Sequence, residues 1–118
     1  MLAFHESWSW VAVATAGVTG LWGIGLTVTG RPARRAFGYG VGSAVAAVLI
    51  QVAGGLWLYG QGRRTGDGFH VFYGMLILIT LALAYVYRAQ LARRPALSYG
   101  LLLLFVMGLA LRAWAYVL

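Results

Sequence analysis

The sequence predicts an all-α polytopic membrane protein, a single four-helix transmembrane bundle with both termini on the outer side. Three observations carry this. The chain is 62% hydrophobic and only 9% charged, with a mean hydropathy of +0.82, a balance that suits lipid as the surrounding solvent better than water. Its 118 residues divide into four apolar stretches, each close to the roughly 20 residues that cross a hydrocarbon core about 30 Å thick. Arginine is concentrated in alternate connections between these stretches.

The first span is expected over about 8–29, closed by Gly30-Arg31-Pro32, a helix-terminating glycine, a charge and a proline that cannot continue the helix. The second runs over about 36–60. A glycine-rich polar turn, Gln61 to Gly68, separates it from a third span over about 69–88. Arg88, Arg93 and Arg94 follow, and Pro95, suited to the first position of a helix, opens a fourth span over about 95–117. The whole chain, 1–118, is then one domain with no room for a soluble one.

Arg31, Arg34 and Arg35 fall in the first connection and Arg88, Arg93 and Arg94 in the third, whereas the second offsets Arg63 and Arg64 with Asp67, and the N-terminal segment carries Glu6. The positive-inside rule therefore places the first and third connections in the cytoplasm. Aromatic residues agree with that assignment. Trp8, Trp10, Trp57, Tyr59, Phe69, Tyr73, Trp114 and Tyr116 gather at the outer ends, and Phe37, Tyr39, Tyr85, Tyr87 and Tyr99 at the inner ones. The segment before the first span has no basic residue, unlike a secretory signal, so that span is expected to be retained.

Small residues recur at helical spacing: Thr15, Thr19, Gly23 and Thr27 in the first span, Ser43, Ala47, Gln51 and Gly55 in the second, Gly100 and Gly108 with Arg112 in the fourth. Such stripes let helix backbones approach closely in lipid, where no hydrophobic force drives helices together. They imply a tight bundle or one with room for a flat cofactor.

Several chemistries are excluded. The chain has no cysteine, which removes disulfides, thiolate metal sites and cysteine nucleophiles. Its net charge of +7 lies mostly in the connections, so it is a topology signal and not a nucleic-acid footprint. No Ser/His/Asp set exists for hydrolysis, and no catalytic residue is expected. Glu6 lies too near the chain end to be the buried coupling carboxylate of a small multidrug exporter. Gly38-Tyr39-Gly40-Val41-Gly42 opens a span and follows no strand, so it is a packing feature and not a nucleotide fingerprint.

The two histidines, His5 before the first span and His70 at the start of the third, both fall at the outer face. If the first helix begins early, His5 shares the inward seam of Trp8, Ala12, Thr15 and Thr19. Two imidazoles at similar depth on different helices are what a six-coordinate haem b requires, as metal ligands on both sides of the iron. Gly55 and Gly74 would give the macrocycle close access to backbone, and Arg112, Arg63, Arg64 or interfacial tryptophans would meet its propionates. The alternative is that both histidines are amphipathic interfacial residues. Arg112 falls several ångströms below the outer interface, facing protein or ligand, or reaching up to the surface. Gln51, near the centre of the second span, is expected to hydrogen-bond to another helix.

Gln51-Val-Ala-Gly-Gly-Leu-Trp-Leu-Tyr59 followed by Phe69-His70-Val-Phe-Tyr73-Gly74 resembles the outer-face turn of four-helix haem membrane proteins of the cytochrome b type, including each half of haem A synthase. Over most of its length, through Phe4-His5-Glu6, Phe69 to Gly74, Tyr85-Val-Tyr87-Arg88, Tyr99-Gly100 and Gly108 to Arg112, the chain resembles a group of small four-helix bacterial integral membrane proteins. The first resemblance implies haem b binding or electron transfer, expected here in the bacterial plasma membrane; a quinone is a further candidate partner, through Arg112 or Gln51. The second implies the fold and no activity. The competing expectation is a non-catalytic accessory subunit of a larger respiratory or photosynthetic membrane complex, or a homo-oligomer, surrounded by the lipid bilayer in either case.

Overall fold

The computed structural model describes residues 2–62 and 68–115; Arg63, Arg64, Asp67 and Tyr116, together with the end of the expected fourth span, lie outside the described residues. Five helices follow one another: α1 (Leu2–Val28), α2 (Arg35–Gly60), α3 (Phe69–Val86), the single turn α4 (Arg88–Leu91) and α5 (Pro95–Ala115). Four of them, all but α4, are long and apolar enough to cross a membrane. The 47 Å long axis is close to the thickness of a bilayer with its headgroups, about 40–45 Å.

The helix boundaries follow from local chemistry. α1 ends where Gly30 adopts φ +69°, a left-handed conformation that glycine takes without a Cβ clash. Gly30 N–H then donates to Thr27 O (3.2 Å) and Arg31 N–H to Leu26 O (2.9 Å), the paired bonds of a Schellman cap. Pro95 opens α5 as expected, and the helical hydrogen bonding to Arg94 O is made by Ser98 N–H, four residues on, at 2.8 Å. The other end of α1 differs from the reading above. Its helix begins at Leu2 and not near Trp8, because Phe4 stacks on Trp8 (5.5 Å between ring centres) and Trp8 Nε1–H donates to Ala47 O across on α2 (2.8 Å), so the first turn is held against a neighbour.

α1 is the central helix. It packs antiparallel to α2 on one side and to α5 on the other, and α3 docks mainly on α5, touching α2 only slightly. The α1–α5 crossing is the tightest contact: a Cβ added to Gly23 would lie 2.5 Å from Ala96 O and 2.8 Å from Gly100 Cα, and one on Gly100 would lie 3.1 Å from Gly20 O. Backbone meets backbone here, as the small-residue stripes anticipated for Gly23 and Gly100. Gly17 and Gly20 extend this seam, against Met107 and Leu104. Ala12, Ala47, Val48, Ile77, Val106 and Leu109 form the larger buried cluster, and Ala16, Ala44 and Leu103 a second one. The threonines behave differently from the glycines. Thr15 and Thr27 hydroxyls donate to carbonyls one turn back in α1, at 2.8 and 2.9 Å, which satisfies them locally. Only Thr19 reaches another helix, at Gly40 O on α2 (3.5 Å).

Candidate functional site

At the end of the bundle where α1 begins, α1, α2, α3 and α5 each contribute to one polar cluster. His5 lies in the second turn of α1, and its Nε2 is 3.4 Å from the Gln51 amide nitrogen on α2. The cross-helix bond expected of Gln51 is thus made to His5. Gly55, one turn further along α2, backs the imidazole: a Cβ there would lie 3.1 Å from His5 Cε1 and 3.6 Å from Nε2. Gly55 therefore accommodates the histidine ring itself. Gly74 on α3 is half-buried, and a Cβ there would meet nothing within 4 Å.

His70, the second residue of α3, is fixed from the opposite side. Its Nδ1 lies 2.8 Å from Ala113 O on α5. A carbonyl only accepts, so Nδ1 carries the proton and donates, and the Nε2 of the neutral ring retains its lone pair. The same arrangement, Nδ1–H held by a backbone carbonyl, orients histidines whose other nitrogen binds a metal. The His5 and His70 ring centres are 6.2 Å apart with planes at 84°.

His5 Nδ1 and Gln51 Oε1 are buried and make no hydrogen bond. Turning the amide over does not remove the deficit. His5 Nε2–H would then donate to the amide oxygen, leaving Nδ1 as a bare lone pair and the amide nitrogen without its partner. In either orientation one imidazole nitrogen and one amide atom are left over, at a free-energy cost of about 1–3 kcal/mol for each unsatisfied group.

Arg112 does not sit inside the bundle. It is exposed on α5, with its guanidinium carbon 5.7 Å from the centre of the Tyr73 ring on α3, one turn beyond His70. Trp10 and Trp114 pack edge to face nearby on α1 and α5, 5.3 Å apart. Arg63 and Arg64, the other cations considered for this face, lie outside the described residues. Two participants were not singled out from sequence, the Ala113 carbonyl and the Tyr73 ring. A backbone acceptor has no residue-type signature, although its place near a helix C-terminus, where carbonyls run short of intrahelical donors, is a usable hint.

Among the described residues, no three His, Asp or Glu side chains gather as a metal-binding group. Among the described residues the cluster brings two imidazoles together and no third titratable side chain of this kind. A bare transition-metal ion ordinarily takes four or more ligands, so two imidazoles suit a metal that brings the rest of its coordination sphere with it. No protein-family model matches the chain, and no curated protein or solved structure matches it.

Proposed function

We propose that this chain is a haem b-binding, electron-transferring protein of the bacterial plasma membrane, with His5 and His70 as the two axial ligands. The observation that carries this reading is the meeting of the chain's two histidines, from helices at either side of the cluster, with ring centres 6.2 Å apart. Metal–imidazole bonds of about 2 Å on each side of one ion give a similar separation, roughly 6 Å. With the Gln51 amide turned so that its oxygen accepts from His5 Nε2–H, the buried, unpartnered His5 Nδ1 presents a lone pair, and the Ala113 bond leaves another on His70 Nε2; these are the nitrogens available for ligation. The open space at Gly74 and the loose α2–α3 seam support access for a flat macrocycle from that side, and Arg112 is the nearby cation for its carboxylates. When bound, such a group supplies reversible one-electron chemistry. The chain's own residues do the orienting: Ala113 sets the His70 tautomer, Gln51 and Gly55 set the His5 ring, and Trp8 holds the first turn of α1 on α2.

The test is a visible spectrum of protein purified from cells supplied with haem. A Soret band that shifts and sharpens on reduction is expected, and His5→Ala and His70→Ala should each remove the low-spin six-coordinate form. A colourless wild-type protein, or a spectrum unchanged in both variants, overturns the proposal.

A second reading, an accessory subunit of a larger membrane complex, is favoured by α3. Only 6% of its most apolar window is buried, against 28–33% for the other three spans. Stoichiometric co-purification of the colourless chain with a partner complex would support it.

A further inference from the structure

The arginine-rich end of the bundle holds a cleft that the histidine site does not use. The turn between α1 and α2 and the start of α5 flank an open cleft of about 240 Å³, lined by Arg31 and Arg94 together with Leu26, Pro32 and Pro95. Past Ala33 and Pro95 the cleft continues as a groove of about 450 Å³ between α2 and α5. Arg34 lines it at the beginning of α2, and Phe37, Val41 and Tyr99 line it farther along. The groove exists for two reasons. α2 and α5 both pack on α1 and touch each other little, and α2 turns Gly38 and Gly42 toward the gap, where an added Cβ would meet nothing within 4 Å.

Charge at this end has no acidic counterpart among the described residues. The chain has two acidic residues; Glu6 stands near the start of α1, at the opposite end of the bundle, and Asp67 lies outside the described residues. Arg31, Arg34 and Arg94 thus line an apolar slot that no carboxylate of the described residues lines.

We propose that this cleft binds an anionic phospholipid, its phosphodiester between Arg31, Arg34 and Arg94 and one acyl chain along the Gly38–Gly42 groove. Guanidinium forks match phosphate oxygens in geometry as well as charge, and basic pockets between spans at a charged membrane surface are suited to such headgroups. The apolar groove leading away from the arginines is what separates a lipid from a free phosphate ion. A free ion would fill the 240 Å³ mouth and leave the groove without an occupant.

Native mass spectrometry of the full chain in neutral detergent tests this, using phosphatidylglycerol and phosphatidylcholine of identical acyl composition. Preferential retention of phosphatidylglycerol is expected, with a loss of about fivefold per arginine removed, hence about 25-fold for Arg31→Gln with Arg94→Gln. The pair Arg88→Gln with Arg93→Gln removes the same charge outside the cleft and should leave binding within about twofold. Gly42→Leu fills the groove without changing charge and should also weaken phosphatidylglycerol retention. Equal retention of the two lipids overturns the proposal, as does equal loss from the two double variants. Displacement of phosphatidylglycerol by millimolar inorganic phosphate, or no effect of Gly42→Leu, identifies a free-anion site and overturns the lipid assignment. If the first double variant is not recovered folded, Arg34→Gln alone decides, with a loss near fivefold expected and an unchanged affinity refuting the proposal.

Discussion

Replacing Gly23 with alanine tests whether the α1–α5 seam sets the spacing of the whole bundle. The added methyl would lie 2.5 Å from Ala96 O, 2.8 Å from Gly100 Cα and 3.0 Å from Phe37 Cζ. The first two neighbours are backbone and cannot rotate away, so ordinary contact near 3.5 Å requires α1 and α5 to separate by about 1 Å, which weakens dispersion contacts along the seam. Overpacking of this kind costs about 1–3 kcal/mol, and the gain from replacing a helical glycine by alanine, about 0.5–1 kcal/mol, offsets only part of it. Gly25, exposed and with nothing within 4 Å of an added Cβ, is the control, since its replacement keeps the gain without the clash. The two variants should therefore differ by roughly 2 kcal/mol, about thirtyfold in unfolding constant. Gly20→Ala should fall between them, because the closest atoms it meets, at 2.8 and 2.9 Å, belong to the Leu104 side chain and can give way. Unfolding in mixed micelles of neutral detergent and dodecyl sulfate, followed by tryptophan fluorescence, measures the order. If Gly23→Ala resists unfolding as well as Gly25→Ala, the close-contact account of the bundle is refuted.

Trp8→Phe keeps the aromatic stack on Phe4 but removes the donor to Ala47 O, so a loss of about 0.5–1.5 kcal/mol is expected in the same micelle titration, with faster amide exchange over the first turns of α1; unchanged exchange would mean that the turn is held by other contacts. Gly55→Leu should displace the His5 ring from α2 and, on the haem proposal, remove the six-coordinate spectrum while leaving helical circular dichroism intact; an unaltered spectrum would show that this wall does not position the ligand. A double-mutant cycle of Arg112→Leu and Tyr73→Leu should report a coupling of about 0.5–1 kcal/mol, the value for a cation over a ring at an exposed site, and strict additivity would dissociate the pair. For topology, cysteine at Gln61 should react with an impermeant thiol reagent on whole cells and cysteine at Ala92 should not, with the reverse pattern inverting the assignment.

Much of the architecture was legible residue by residue. The apolar runs and their lengths mark four spans, Gly30 before Arg31 and Pro32 marks the end of α1, and Pro95 marks the start of α5, because these signals are local and act within one turn of chain. The meeting of His5 and His70 was also legible, since alternate spans return to the same surface. Which helices are neighbours was not. Spans that face lipid are apolar on every side, so no polar face shows where a partner lies, and the choice of α1 as the centre with α3 at the edge follows from how closely particular backbones fit. Gly23 and Gly100 belonged to stripes visible in the sequence, yet Gly108 belongs to one as well and an added Cβ there would meet nothing within 4 Å. Likewise Thr15 and Thr27 share a stripe with Thr19 and bond within their own helix, Gly55 is spaced for a cofactor and holds an imidazole, and the acceptor that sets the His70 tautomer is a carbonyl that any residue at position 113 would supply. Spacing along one helix specifies which residues share a face; what that face meets depends on contacts between residues far apart in the chain, and these exist only once the helices have packed.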